Sequence, residues 1–124
     1  MGRIFTAVDM NFKILNQYNI KFKKSNELVF TTTANFNLGA LISLFKSKES
    51  VEHLISDINL ALNGNYSQIL DPNYAMELGQ DIYFGIINND MTFSVYYENN
   101  PIQSIDYPLN DIKEIFSSWL EIIS

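Results

Sequence analysis

The side chains that could take part in acid–base or nucleophilic chemistry are few and widely spaced in this sequence. His53 is the single histidine and cysteine is absent, so the sequence predicts neither a nitrogen–sulfur metal site nor a thiol nucleophile. A Ser-His-Asp arrangement would have to use His53, yet no Gly-x-Ser-x-Gly turn is present to expose a serine. We therefore expect His53 to be an ordinary surface residue of a helix.

Carboxylates are plentiful, and a close pair of them can carry out acid–base hydrolysis. Asp81, Asp90, Glu98 and Asp106 occur at predicted strand ends and turns, and their spacing does not force two of them into one cleft. The acids do not follow the spacing of a calcium loop, and the glycines form no phosphate-binding loop. We expect no enzyme, no metal and no cofactor, and keep a small carboxylate-dependent hydrolase as the less favoured alternative.

The charge of the chain is unevenly distributed. Residues 1–48 contain seven Lys or Arg and two acids, whereas residues 49–124 contain twelve acids and one lysine, which gives the net charge of −6. An acidic surface repels nucleic acid and attracts basic proteins, although it also serves solubility alone. We therefore expect a basic protein partner and no direct binding of nucleic acid.

The length and composition predict one α+β domain over residues 1–124. A chain of 124 residues with 47% apolar residues is large enough for its own core. Its apolar runs are shorter than the roughly 18–20 residues that span a bilayer, so we expect no membrane partner. The absence of cysteine is consistent with a cytoplasmic location. Residues 1–9 fit either an extra short strand or residues of cloning origin, because Met10 offers an alternative start.

Apolar residues alternate with polar ones near the start of the chain. The alternation predicts a strand over residues 12–22, a turn at residues 24–26 and a second strand over residues 28–33, which together form a hairpin. The apolar segment of residues 36–45 fits either a helical turn or a buried loop.

Two helices and a meander are predicted for the rest of the chain. Val51, Leu54 and Ile58 mark one face of a helix from about Glu49 to Leu62, with Ser47 or Ser50 as its N-cap. A long polar loop over residues 63–79 is followed by strands at residues 82–87, 91–97 and 102–107 and by a helix over residues 111–123, capped by Asn110 or Asp111. The predicted fold is α+β: an antiparallel sheet, made of the N-terminal hairpin and a C-terminal three-stranded meander, with two main helices packed on it.

Tyrosines near the predicted turns and strands suggest a binding surface, since this side chain is enriched at the centres of protein interfaces. If Phe93, Val95 and Tyr97 face the helices, then Thr92, Ser94 and Tyr96 lie on the opposite face of the sheet. The alternative interpretation is that the tyrosines cover the edge of the core. From charge and tyrosine placement we predict a partner-binding surface formed by Asp71, Tyr74, Asp81, Tyr83, Asp90, Tyr96 and Glu98.

Several segments resemble the small immunity proteins of bacterial contact-dependent growth inhibition and related polymorphic toxin systems. The resemblance lies in Phe-Asn-Leu-Gly-Ala-Leu-Ile at residues 36–42, in residues 54–64, in Glu77-Leu78-Gly79 and in the closing helix with Trp119. It covers residues 36–123.

The resemblance implies a cytosolic protein that binds a cognate toxin domain, often a nuclease with a basic cleft, and blocks it without catalysis. Such a partner would suit an acidic inhibitor, because complementary charge speeds association. An acidic adaptor or subunit for another basic protein is the alternative that the charge alone allows.

Overall fold

The computed structural model describes residues 13–25, 28–32 and 35–124, so the predicted strand at residues 3–8 lies outside the described residues. Residues 13–17 form a helical segment, α1. It is followed by β1 (Lys21–Ser25), β2 (Leu28–Thr32), α2 (Phe36–Leu44), α3 (Lys48–Leu62), a 3-10 turn (Tyr66–Gln68), β3 (Asn73–Leu78), β4 (Asp81–Ile87), β5 (Thr92–Tyr97), β6 (Asn100–Pro108) and α4 (Leu109–Ile123). The protein is thus an α+β protein.

The strands form two antiparallel sheets. β1 and β2 pair as a separate hairpin, and the other strands form a four-stranded meander in the order β3-β4-β5-β6. In the four-stranded sheet the neighbouring strands are connected by short turns, so their order along the chain is also their order in space.

Helices α2 and α4 pack on one face of the meander, and α3 packs on α4, so the three helices enclose the core. Leu41, Leu54, Ile58, Ile112 and Phe116 each have no exposed surface. A Cβ atom added at Gly85 of β4 would clash with Cζ of the Phe93 ring and would lie 2.9 Å from Cδ2 of Leu41, so glycine at this position leaves room for that ring and for α2. Among the described helices, none has the length and apolar character needed to cross a lipid bilayer.

The prediction for residues 12–22 is wrong for most of that segment. Residues 13–17 are helical, and the first strand begins only at Lys21. Ile14, Leu15 and Tyr18 all pack on the core. These residues are at positions i, i+1 and i+4, which lie on one side of a helical turn. The same segment also has the alternation of a strand, and packing on the core selects the helix. A hairpin with the predicted second strand is present, but Lys24 and Ser25, which were predicted as its turn, belong to β1, with Ser25 opposite Leu28.

The prediction of a continuous loop over residues 63–79 is also wrong. Residues 73–78 form β3, which extends the meander to four strands. Tyr74, Met76 and Leu78 alternate with polar or small residues, which is a strand pattern that the surrounding turn residues obscured.

The predicted N-cap is correct for α3 and wrong for α4. The Ser47 side chain accepts a hydrogen bond from the Ser50 backbone N–H and is the N-cap of α3, as predicted. Helix α4 begins at Leu109, so the predicted caps Asn110 and Asp111 lie inside its first turn, and Pro108 precedes it without a side-chain cap. Residues 36–44, whose sequence fits either a helical turn or a buried loop, form α2.

Candidate functional site

One face of the four-stranded sheet is not covered by the helices in residues 13–124 that the structure describes. Tyr83 and Ile87 of β4, with Phe93 and Val95 of β5, are buried beneath the helices. Because side chains of a strand alternate between faces, the residues between them point to the other side. We call this side the open face, and it comprises Ala75, Ile82, Phe84, Ile86, Ser94 and Tyr96.

An aromatic pair occupies the centre of the open face. Phe84 and Tyr96 lie directly opposite each other on β4 and β5, and their rings stack with centroids 5.0 Å apart and planes inclined by 16°. Ala75 lies opposite Phe84 on β3, and its small side chain leaves the ring accessible from that side. Both rings are half-buried by the strands around them.

Carboxylates surround this centre at both ends of the sheet. Glu77 and Glu98 lie on either side of Ile82 at one end. Glu77 is opposite Ile82 on β3, and on the β5 side the Glu98 N–H donates a hydrogen bond to the Ile82 carbonyl at 2.9 Å. At the other end, Asp106 lies opposite Ser94, and Asp90 follows in the turn between β4 and β5. Four strand residues, or about 13 Å, separate the two ends along β4. We call Glu77, Asp90, Glu98 and Asp106 the acidic rim.

Nearby cations do not offset the acidic rim within the described part of the chain. Residues 73–108 contain five acids and no Lys or Arg, and the described residues contain no ion pair between a rim carboxylate and a cation. Ser94 donates a hydrogen bond to Asp106, and Thr92 donates one to Asp90. These hydroxyl groups hold the carboxylates in place without neutralising them.

The expectation that Tyr83 and Asp81 share a surface with Tyr96 is wrong. Tyr83 is only 4% exposed, on the helix-covered face, where its ring contacts Phe36 and Tyr97. Asp81 accepts a hydrogen bond from the Tyr97 hydroxyl at 2.6 Å on the same side. The strand alternation sends neighbouring residues to opposite faces, and the sequence of β4 is too uniformly apolar to show which face is covered.

Tyr74 and Asp71 are held by contacts inside the molecule. The Tyr74 hydroxyl donates a hydrogen bond to the Asp57 carboxylate, which is 8% exposed on α3. Asp71 accepts a hydrogen bond from the Asn73 N–H at 3.0 Å, which starts β3. His53 is largely exposed, as predicted, but its Nε2 atom lies 3.5 Å from Asp57. The contact of Tyr74 with Asp57 and His53 thus connects β3 to α3. It is a structural contact that no pattern in the sequence indicates.

The Tyr74 contact predicts a loss of stability at alkaline pH. Burial, and then the hydrogen bond to Asp57, raise the pKa of Tyr74 above its ordinary value of 10.0. The folded state therefore keeps a proton that the unfolded chain loses above about pH 10, and the free energy of unfolding should fall as the pH rises further. For Tyr74 the slope is at most about 1.4 kcal/mol per pH unit, reduced by solvent screening because the residue is partly exposed.

Urea unfolding between pH 8 and pH 11 measures this effect. We expect Tyr74→Phe to lower the free energy of unfolding at pH 8 by about 1–3 kcal/mol, because Asp57 loses its donor, and to reduce the alkaline slope. Tyr96→Phe is the matched control, because Tyr96 lies opposite Phe84 on the open face of the sheet, on the other side from Tyr74 and Asp57. Equal slopes in the wild type and Tyr74→Phe would contradict the assigned contact.

Other tyrosines also lie at the edge of the core. The Tyr18 hydroxyl donates to Asp111 at 2.5 Å, and the Tyr66 hydroxyl donates to the Ile87 carbonyl at 2.9 Å. Tyr107 is buried in the core. Tyr18, Tyr66 and Tyr74 therefore cover the edge of the core, whereas Tyr96 lies on the open face.

Neither of two surface depressions that described residues line brings two acids together. A shallow groove between α3 and α4 is lined by Ile55, Asn59, Leu60 and Leu120, with Glu52 as its one carboxylate, and a second depression beside Phe36 has none. Within the described parts of the chain, no three His, Asp or Glu side chains come close enough together to hold a metal ion.

The open face has the anatomy of a protein-binding surface, with an apolar aromatic centre inside a charged rim. Asp90, Tyr96 and Glu98 were predicted for such a surface, whereas Phe84, Glu77 and Asp106 are added by the strand register. Comparison of the chain with protein-family models, with curated proteins and with solved structures finds no match.

Proposed function

We propose that this protein is a cytoplasmic immunity protein that binds a basic toxin domain through the open face and neutralises it without catalysis. The observation that carries the proposal is the acidic rim around the Phe84–Tyr96 pair, with no Lys or Arg in residues 73–108 to offset it. The proposed partner is a nuclease domain, whose cleft for nucleic acid is basic.

The charge of the rim suits fast capture of such a partner. Carboxylates at both ends of the open face produce a negative potential over the whole of it, and complementary charge raises association rates far above those of neutral surfaces. An inhibitor that must act before its toxin damages the cell benefits from a high association rate.

The apolar centre of the open face is expected to hold the partner once it has bound. Rim charges mainly set the association rate and the choice of partner, whereas aromatic side chains desolvated at the centre of an interface set the dissociation rate. The stacked rings of Phe84 and Tyr96 present a rigid surface for this purpose, since each ring holds the other in place.

Co-expression with the product of the gene immediately upstream tests the proposal. We expect cells that carry both genes to survive and the two proteins to be purified together. Cell death without a recoverable complex would overturn the proposal. Survival of cells that express the upstream gene alone, together with complex formation, would instead favour an adaptor for a basic protein that is not a toxin.

The acidic rim gives this test a quantitative form. We expect Glu77→Lys with Glu98→Lys to slow association about tenfold and to weaken its dependence on salt. Glu49→Lys with Glu121→Lys is the matched control, because it makes the same charge change at exposed positions of α3 and α4. If both variants slow association equally, net charge rather than the open face attracts the partner.

A further inference from the structure

The two edges of the four-stranded sheet differ in how well they are protected. The β6 edge contains Pro101 and Pro108, and its register with β5 is interrupted between Val95 and Tyr97. Prolines and irregularities of this kind prevent an edge from pairing with another chain. The β3 edge has none of them, since all of its residues, from Asn73 to Leu78, pair regularly with β4.

The hydrogen bonds of β3 show which backbone groups point outward. The Ile87 N–H donates to the Pro72 carbonyl at 3.0 Å, which makes this a hydrogen-bonded pair of the antiparallel ladder. Because such pairs alternate, the backbone groups of Tyr74 and Met76 point toward β4, whereas those of Ala75 and Glu77 point away from the sheet. No described strand pairs with this outer side of β3.

We propose that β3 accepts an extended, basic segment of the partner protein as a fifth strand of the sheet. The outward N–H and C=O groups of Ala75 and Glu77 provide the ladder, and the methyl group of Ala75 leaves room for the incoming backbone. This inference rests on the proposed function for the identity of the partner, and adds how that partner is held.

Charge selects a basic segment over a second copy of this chain. Glu77 lies within the edge and Asp71 lies just before it, so lysine or arginine side chains on an added strand would meet carboxylates across the ladder. A second copy would bring another chain of net charge −6 against the same edge. An added strand would also widen the open face beside Ala75, next to the aromatic pair.

Hydrogen exchange measured by NMR tests the ladder directly. The probe is a capped seven-residue peptide of alternating lysine and valine, added to the labelled full-length protein at up to millimolar concentration. We expect the Ala75 and Glu77 amides to exchange rapidly in the free protein and to become protected when the peptide binds. A peptide with methylated backbone nitrogens keeps the charge and loses the ladder, so it should not protect them.

Two variants separate backbone pairing from charge. Ala75→Pro removes an outward N–H that β4 does not use, and should weaken peptide binding at least about tenfold. Glu77→Lys keeps the backbone and should weaken binding by a similar factor, while Ala75→Ser is the matched control that keeps both. If Ala75→Pro does not fold, Glu77→Lys and the methylated peptide still decide the question.

Several results would overturn strand addition. The first is protection of the Ala75 and Glu77 amides in the free protein, and the second is a dimer of the free protein that Ala75→Pro dissociates. The others are that the peptide does not bind, or that the methylated peptide binds as tightly as the unmethylated one. If co-expression yields a complex in which these amides stay unprotected, strand addition fails while the proposed function stands. If co-expression yields no rescue and no complex, the proposed function fails, whatever the peptide does.

Discussion

Replacing Trp119 with alanine is expected to lower the free energy of unfolding by about 3–5 kcal/mol. Trp119 lies in α4 and is 1% exposed. Its ring packs edge-on against Phe22 with centroids 5.1 Å apart, and its Nε1 atom donates to the Phe45 carbonyl at 2.7 Å. Alanine would leave a large cavity and a buried carbonyl without its donor. Since domains are stable by only about 5–15 kcal/mol, the loss would bring the protein close to unfolding.

Urea denaturation followed by circular dichroism measures this loss. Trp119→Phe is the informative companion, because it removes the hydrogen bond but keeps much of the volume, so we expect it to cost about 1–3 kcal/mol. A loss below about 1 kcal/mol for Trp119→Ala would show that the contact between α4 and the end of α2 is not part of the core.

Replacing Phe84 or Tyr96 with alanine is expected to weaken partner binding by at least about 2 kcal/mol, or roughly thirtyfold in Kd. Each change removes one ring of the stacked pair and with it the support of the other ring. The double variant should therefore lose less than the sum of the single variants, because residues in contact are not independent. The loss should appear mainly in the dissociation rate.

The measurement is the binding kinetics of each variant with the partner that co-expression identifies. Phe36→Ala is the matched control, since Phe36 is a 71% exposed aromatic residue on the helix-covered side of the sheet. If Phe36→Ala abolishes binding and Phe84→Ala does not, the partner binds the opposite side of the molecule. Urea unfolding of all four variants shows whether a change in binding reflects a change in folding.

Strong local signals explain the parts of the fold that could be predicted. Helix α3 was predicted within one residue at its start, because its apolar face repeats with the helical period and Ser47 caps it. The hairpin of β4 and β5 followed from two apolar strands around Asn88 and Asp90. Each of these elements is specified by residues close together in the chain.

The open face could be predicted only in part. The alternation in β5 correctly placed Tyr96 and Ser94 opposite the buried Phe93 and Val95. In β4 nearly every residue is apolar, so alternation could not show that Phe84 faces outward and Tyr83 inward. Packing against remote residues decides the answer, since Gly85 on the covered face lies against the Phe93 ring of β5 and against Leu41 of α2.

The sequence alone determined the α+β class, the two long helices, the β4–β5 hairpin and the concentration of acids after residue 48. Only the tertiary structure decided that residues 13–17 are helical, that β3 joins the sheet and that Asp57 holds Tyr74. The physical reason is that short segments with mixed periodicity have nearly equal local free energies as helix, strand or loop. Packing against residues remote in the chain then selects one of them, and the same packing decides which carboxylates surround one face.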